Sequence, residues 1–79
     1  MKPVFTDTTI KHHRKMAKLK QQELADILEI TVTDLSFIEN KKLYPSLNLA
    51  YRIAELLTVT VGYLYSEAEL NLMRERETT

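Results

Sequence analysis

No cysteine occurs in this chain of 79 residues, which excludes disulfides and thiolate metal sites and makes a cytoplasmic setting the expectation. Glycine is nearly as scarce, with Gly62 alone, and the prolines are Pro3 and Pro45 only. So few chain breakers leave little room for linkers, and one small domain is expected, near the size where a single core just suffices. No apolar run is long enough to span a membrane, and the N-terminus lacks the apolar stretch of a signal peptide. Repeats and low-complexity tracts are missing as well. No glycine-rich phosphate loop, paired carboxylates or nucleophile–base set stands out, so neither an enzyme nor a cofactor is expected.

Net charge is zero, but the charge is not evenly spread. Residues 1–22 carry six cations (Lys2, Lys11, Arg14, Lys15, Lys18, Lys20) against Asp7. Residues 23–39 carry five acids (Glu23, Asp26, Glu29, Asp34, Glu39) and neither Lys nor Arg. Lys41, Lys42 and Arg52 form a second basic island, and the remainder is acidic by three charges. A neutral average thus hides two basic islands, and function depends on whether folding brings them together.

Helical patterning dominates. Asp7, Thr8 and Thr9 offer N-caps for a first helix ending near Ala17. "QQELADIL" puts Leu24, Ala25 and Leu28 on one stripe from about Gln21. "SLNLAYRIAELL" opens on Ser46 as a cap and aligns Leu49, Ile53, Leu56 and Leu57. "SEAELNLMRER" has Ser66 and Glu69 at capping-box spacing, with Leu70 and Met73 on one side. The β-branched alternation of "ITVTDL" and "LTVTVGYLY" suggests strands. Two short strands without partners would be marginal, however, so Thr31 is read as the cap of a helix through Asn40 and Thr60 as that of a helix from Val61.

"QQELADILEITVTDLSFIENKKLYPSLNLAYRIAELLTVTVGYL" resembles the helix-turn-helix domain of the Cro/CI-type, lambda-repressor-like (XRE) family. The resemblance rests on Gln21, Glu23, Leu24, Ala25, Thr31, Leu35, Ile38, Glu39, Asn40, Lys42, Pro45, Ser46, Ile53 and Ala54, and covers about Ile10 to Tyr65. It implies an all-α fold, a compact five-helix domain with an extended C-terminal helix. The segments expected are residues 1–8 as N-terminal segment, 9–65 as DNA-binding domain and 66–79 as C-terminal helix or tail. The family often has glycine where this chain has Lys18, Glu29 and Lys41. A left-handed conformation there costs a non-glycine residue on the order of 1–2 kcal/mol.

At about 100° per residue, Leu35, Ile38 and Glu39 share one side of the helix with Thr31. Thr33, Ser36, Phe37 and Asn40 lie opposite, with Val32 at the border. Asp34, three residues after Thr31, is read as a helix-start acid rather than a base contact. The resemblance implies that Glu39 is a buried acid paired with Arg14 of the first helix, which takes it away from DNA. Val32, Thr33, Ser36 and Phe37 are the candidate base contacts, through thymine methyls and hydroxyl hydrogen bonds, with A·T-leaning readout. Gln21 and Asn40, by resemblance, and Lys20, Lys41 and Lys42, by placement, are the candidate phosphate contacts. Phe37 could instead be a plain exposed aromatic or touch a protein partner, and each lysine a solvated charge.

A metal site at His12 and His13 is set aside, since adjacent helical residues diverge and no third ligand is near; His13 is expected to be partly buried. Tyr63, Leu64, Leu70, Leu72 and Met73 supply more apolar surface than the domain needs, and are the candidate homodimer interface. The alternative is that they pack onto their own domain. The expected function is that of a sequence-specific regulator, a repressor occupying a palindromic operator on double-stranded DNA as a homodimer. The competing reading is a protein-interaction module, antitoxin- or anti-repressor-like, with a regulatory protein as partner and weak or no DNA binding.

Overall fold

A computed structural model describes residues 9–77, and every described element is helical: α1 Thr9–Met16, α2 Gln21–Leu28, α3 Val32–Glu39, α4 Leu47–Leu57, α5 Val61–Leu64 and α6 Glu67–Glu77. The all-α expectation holds, and the C-terminal helix is present as α6. The caps expected at Asp7 and Thr8 lie outside the described residues, and Thr9 is already within α1. Among the described residues, no helix is long and apolar enough to cross a membrane. The chain divides after Leu43 into two compact units.

In the first unit α3 packs on α2 and α1. Ile10, Leu24, Ala25, Leu28, Leu35 and Ile38 are its buried apolar residues, one stripe from each helix. In the second, α4 packs on α5 and α6, with Ala50, Ile53, Ala54, Leu57, Leu64, Tyr65 and Met73 buried. The buried stripe of α4 therefore differs from the expected leucine row. Leu56 is exposed, Leu49 is half-buried, and Ala50 and Ala54 take the inner positions. Small side chains let neighbouring backbone approach closely, so Ala wins where Leu would overpack.

Helix starts follow local cap chemistry. Thr31 Oγ1 accepts from the Asp34 N–H (3.0 Å), Ser46 Oγ from Leu49 (3.1 Å) and Thr60 Oγ1 from Tyr63 (3.1 Å). Ser66 and Glu69 form the full reciprocal box: the Glu69 N–H donates to Ser66 Oγ (3.2 Å) and the Ser66 N–H to Glu69 Oε1 (2.8 Å). Glu69 also accepts from the Tyr44 hydroxyl (2.8 Å), while Arg76 donates to the Tyr44 carbonyl (2.9 Å). One tyrosine thereby holds both ends of α6. The bond to the Glu69 carboxylate, reinforced by burial and by that charge, raises the Tyr44 phenol above its ordinary value. Burial, followed by the Glu69 charge, pushes the Tyr65 phenol up further.

The ends of α1, α2, α3 and α4 share one device. Lys18, Glu29, Lys41 and Thr58 have φ of 61°, 62°, 59° and 62°, all left-handed. The N–H of the next residue returns five positions, Leu19 to Arg14 (3.1 Å), Ile30 to Ala25 (3.0 Å), Lys42 to Phe37 (2.8 Å) and Val59 to Ala54 (3.0 Å). That is the Schellman closure, normally built on glycine. The one glycine, Gly62, sits inside α5 without a positive φ.

Candidate nucleic-acid interface

The α2–turn–α3 segment is shaped by three residues. Glu29 turns the chain left-handed, Ile30 closes the turn, and Thr31 starts α3 in extended geometry with φ −79° and ψ 157°. Asp34 stands exposed in the first turn of α3, where a carboxylate complements the positive end of the helix dipole. Leu35, Ile38 and Glu39 are buried, so the inner side of α3 is the one the wheel assigned.

Glu39 is 1% exposed and its carboxylate is held by three donors. Arg14 Nε donates to Oε2 at 2.6 Å, and Arg14 Nη2 reaches Oε1 at a long 3.4 Å. Gln21 Nε2 donates to Oε1 at 3.0 Å. Arg14, itself 7% exposed, also donates through Nη1 to the Leu19 carbonyl at 2.8 Å. One carboxylate thus ties the end of α1, the start of α2 and the end of α3 together. A buried charge needs such compensation, since an unpaired one is strongly disfavoured in a low-dielectric interior.

Lys20 precedes Gln21, and Lys41 and Lys42 follow shortly after Glu39, so the 3.0 Å Gln21–Glu39 bond joins the two helix ends next to which these lysines stand in the chain. All three lysines are exposed. Of helices α2 to α6, α2 alone begins without a side-chain acceptor cap, its cap position being Lys20. The Glu23 carboxylate does accept the Lys20 backbone N–H at 2.7 Å.

The outward side of α3 carries no charge beyond Asp34. Thr33 is exposed, Phe37 is 45% exposed, and Val32 and Ser36 are half-buried. The amides near this face are engaged within the unit. Asn40 Nδ2 donates to the Ser36 carbonyl (2.9 Å), Gln22 Nε2 to Asp26 Oδ1 (2.8 Å), and Gln21 to Glu39. Sequence reasoning had turned Gln21 outward. An amide serves inside and outside alike, and no local signal separates the two.

In the second unit, the residues expected at a dimer interface divide. Leu64 and Met73 are 3% and 0% exposed and belong to the interior, a correction to their expected surface role. Tyr63 and Leu72 are 57% and 51% exposed, and Leu70 is half-buried. His13 is half-buried as expected, and His12 meets it edge-on at 5.3 Å. Among the described residues, no group of three or more potential metal ligands forms.

A family model described as helix-turn-helix matches residues 10–64. An Archaeoglobus fulgidus protein, described as an uncharacterized HTH-type transcriptional regulator, is 34% identical over 65 residues, covering 80% of this chain and 92% of the relative. No solved structure matches the chain at comparable significance.

Proposed function

The chain belongs to the helix-turn-helix family, and from that premise we propose that it is a DNA-binding transcription regulator that represses by occupying a palindromic operator as a homodimer. The observation that carries this reading is the Arg14–Glu39–Gln21 knot. It turns the last acid of α3 inward and joins the start of α2, which Lys20 precedes, to the end of α3, which Lys41 and Lys42 follow, leaving Val32, Thr33, Ser36 and Phe37 on the other side of α3. In this reading the lysines neutralise phosphates and hold the register, while the α3 face meets base edges in the major groove. Two copies would place their α3 helices about one DNA turn apart, roughly 34 Å. Tyr63 and Leu72 supply the exposed apolar surface for pairing.

The test is a salt series of binding to mixed-sequence duplex DNA. Affinity should fall with a log–log slope of about −0.9 per phosphate neutralised. Replacing both Lys41 and Lys42 with Ala should flatten that slope by about 1.8, two phosphates' worth. Salt-independent or undetectable binding would refute the proposal. The engaged amides and the exposed Phe37 favour a second reading, a protein-interaction module on the same scaffold. It predicts no effect of the lysine replacements and a dominant loss of partner binding from Phe37→Ala.

A further inference from the structure

Major-groove recognition normally relies on bidentate groups, Arg or Lys on guanine and Asn or Gln on adenine. Around α3 part of this capacity is used within the unit. Arg14 is locked on Glu39 and the Leu19 carbonyl, and the side-chain amides of Gln21, Gln22 and Asn40 each donate one hydrogen bond there. The three lysines lie outside α3, Lys20 ahead of α2 and Lys41 and Lys42 after Asn40. Beside the exposed Asp34 and Asn40, the outward side presents two hydroxyls, from Thr33 and Ser36, and two apolar groups, Val32 and Phe37.

We propose that this face reads the C5-methyl group of pyrimidines, with Phe37 and Val32 as the methyl contacts, so that 5-methylcytosine can stand in for thymine. The inference rests on the DNA-binding reading above and adds the chemical feature that is read. Thymine and 5-methylcytosine share the methyl and differ in the neighbouring group, an O4 acceptor in one and an N4 amino donor in the other. A hydroxyl rotates to donate or to accept, so Thr33 and Ser36 tolerate both. A face built on the donor-only groups of arginine or lysine would favour the O4 acceptor, whereas hydroxyls meet either group. Phe37, 45% exposed, keeps enough ring surface in solvent to cover a methyl and remove it from water.

The experiment begins by selecting the best-bound duplex from a random thymine-containing pool. That duplex is then remade with uracil, with cytosine and with 5-methylcytosine at single thymine positions. Uracil removes nothing but the methyl, and each contacted position should lose on the order of fourfold in affinity. 5-Methylcytosine should restore what cytosine loses to a comparable extent. Phe37→Ala should erase the thymine–uracil difference at its position and leave the salt slope unchanged. Equal binding of thymine and uracil duplexes by the parent protein would overturn the methyl reading while leaving DNA binding in place, and that comparison needs no variant. Discrimination that survives in both Phe37→Ala and Val32→Ala would also overturn it. No salt-dependent binding to any duplex would defeat the DNA-binding reading itself and this inference with it.

Discussion

Replacing Arg14 with Met tests the Arg14–Glu39–Gln21 knot most directly. Methionine keeps much of the side-chain volume but removes all three of the arginine's hydrogen bonds, at 2.6, 2.8 and 3.4 Å. Glu39, 1% exposed, is then a carboxylate with Gln21 as its one remaining donor of the three. Breaking one side of a buried pair costs roughly 3–5 kcal/mol. A chain of this length has about 4–12 kcal/mol of total stability, so Arg14→Met should remove about a quarter of it or more, enough to unfold the protein if its stability lies at the low end. The partner variant settles the cause. Arg14→Met combined with Glu39→Met removes the stranded charge along with its partner, and apolar replacement of a whole buried pair is about neutral or stabilising by roughly 1–4 kcal/mol. Urea unfolding followed by far-ultraviolet circular dichroism measures both, with the slope checked for constancy. An Arg14→Met protein within about 1 kcal/mol of the parent, below the range for a broken buried pair, would refute the reasoning. So would a double variant as unstable as the single one.

Thr58→Gly should stabilise the chain by up to about 1 kcal/mol. It relieves roughly 1–2 kcal/mol of left-handed strain and gives back about 0.4–1 kcal/mol of unfolded-chain entropy; an unchanged or lowered urea midpoint would count against that assignment. Thr31→Ala should cost about 1 kcal/mol through the lost bond to the Asp34 N–H, and hydrogen exchange should show the first turn of α3 opening more often. The Tyr44 and Tyr65 phenols are raised in the folded state, so above their ordinary value of about 10 the unfolded chain releases protons that the folded one keeps. Their contribution to stability should therefore be level below about pH 9 and fall as pH rises past 10, less steeply in Tyr65→Phe. If the chain pairs through its second unit, Leu72→Glu should shift sedimentation from dimer to a folded monomer, because Leu72 is 51% exposed and lies outside the buried set of its unit.

Helix starts were legible in the sequence because capping is local. Thr31, Ser46, Thr60 and Ser66 each sit immediately before their helix, and the bond each makes spans three residues. The inner side of α3 was equally plain, since a 3.6-residue period sorts Leu35 and Ile38 from Thr33 and Phe37. Contacts distant in sequence were not. Arg14 and Glu39 lie 25 residues apart, as do Tyr44 and Glu69; the resemblance supplied the first pair and nothing supplied the second. Leu56 misled because hydrophobicity ranks leucine above alanine, whereas a closely packed helix chooses by size at Ala50 and Ala54. Thr58 gave no warning, for a β-branched residue is the least expected occupant of a left-handed cap.

Support and outward surface are separated within the first unit. The side chains of Val32, Thr33, Ser36 and Phe37 stand outside the bonds that clamp its three helices, which run through Arg14, Leu19, Gln21 and Glu39. Such a division makes the outer side of α3 an interchangeable head on a fixed handle. Thr33 and Phe37, the exposed members, can be replaced with little disturbance to folding, so this surface can change while its frame stays as it is.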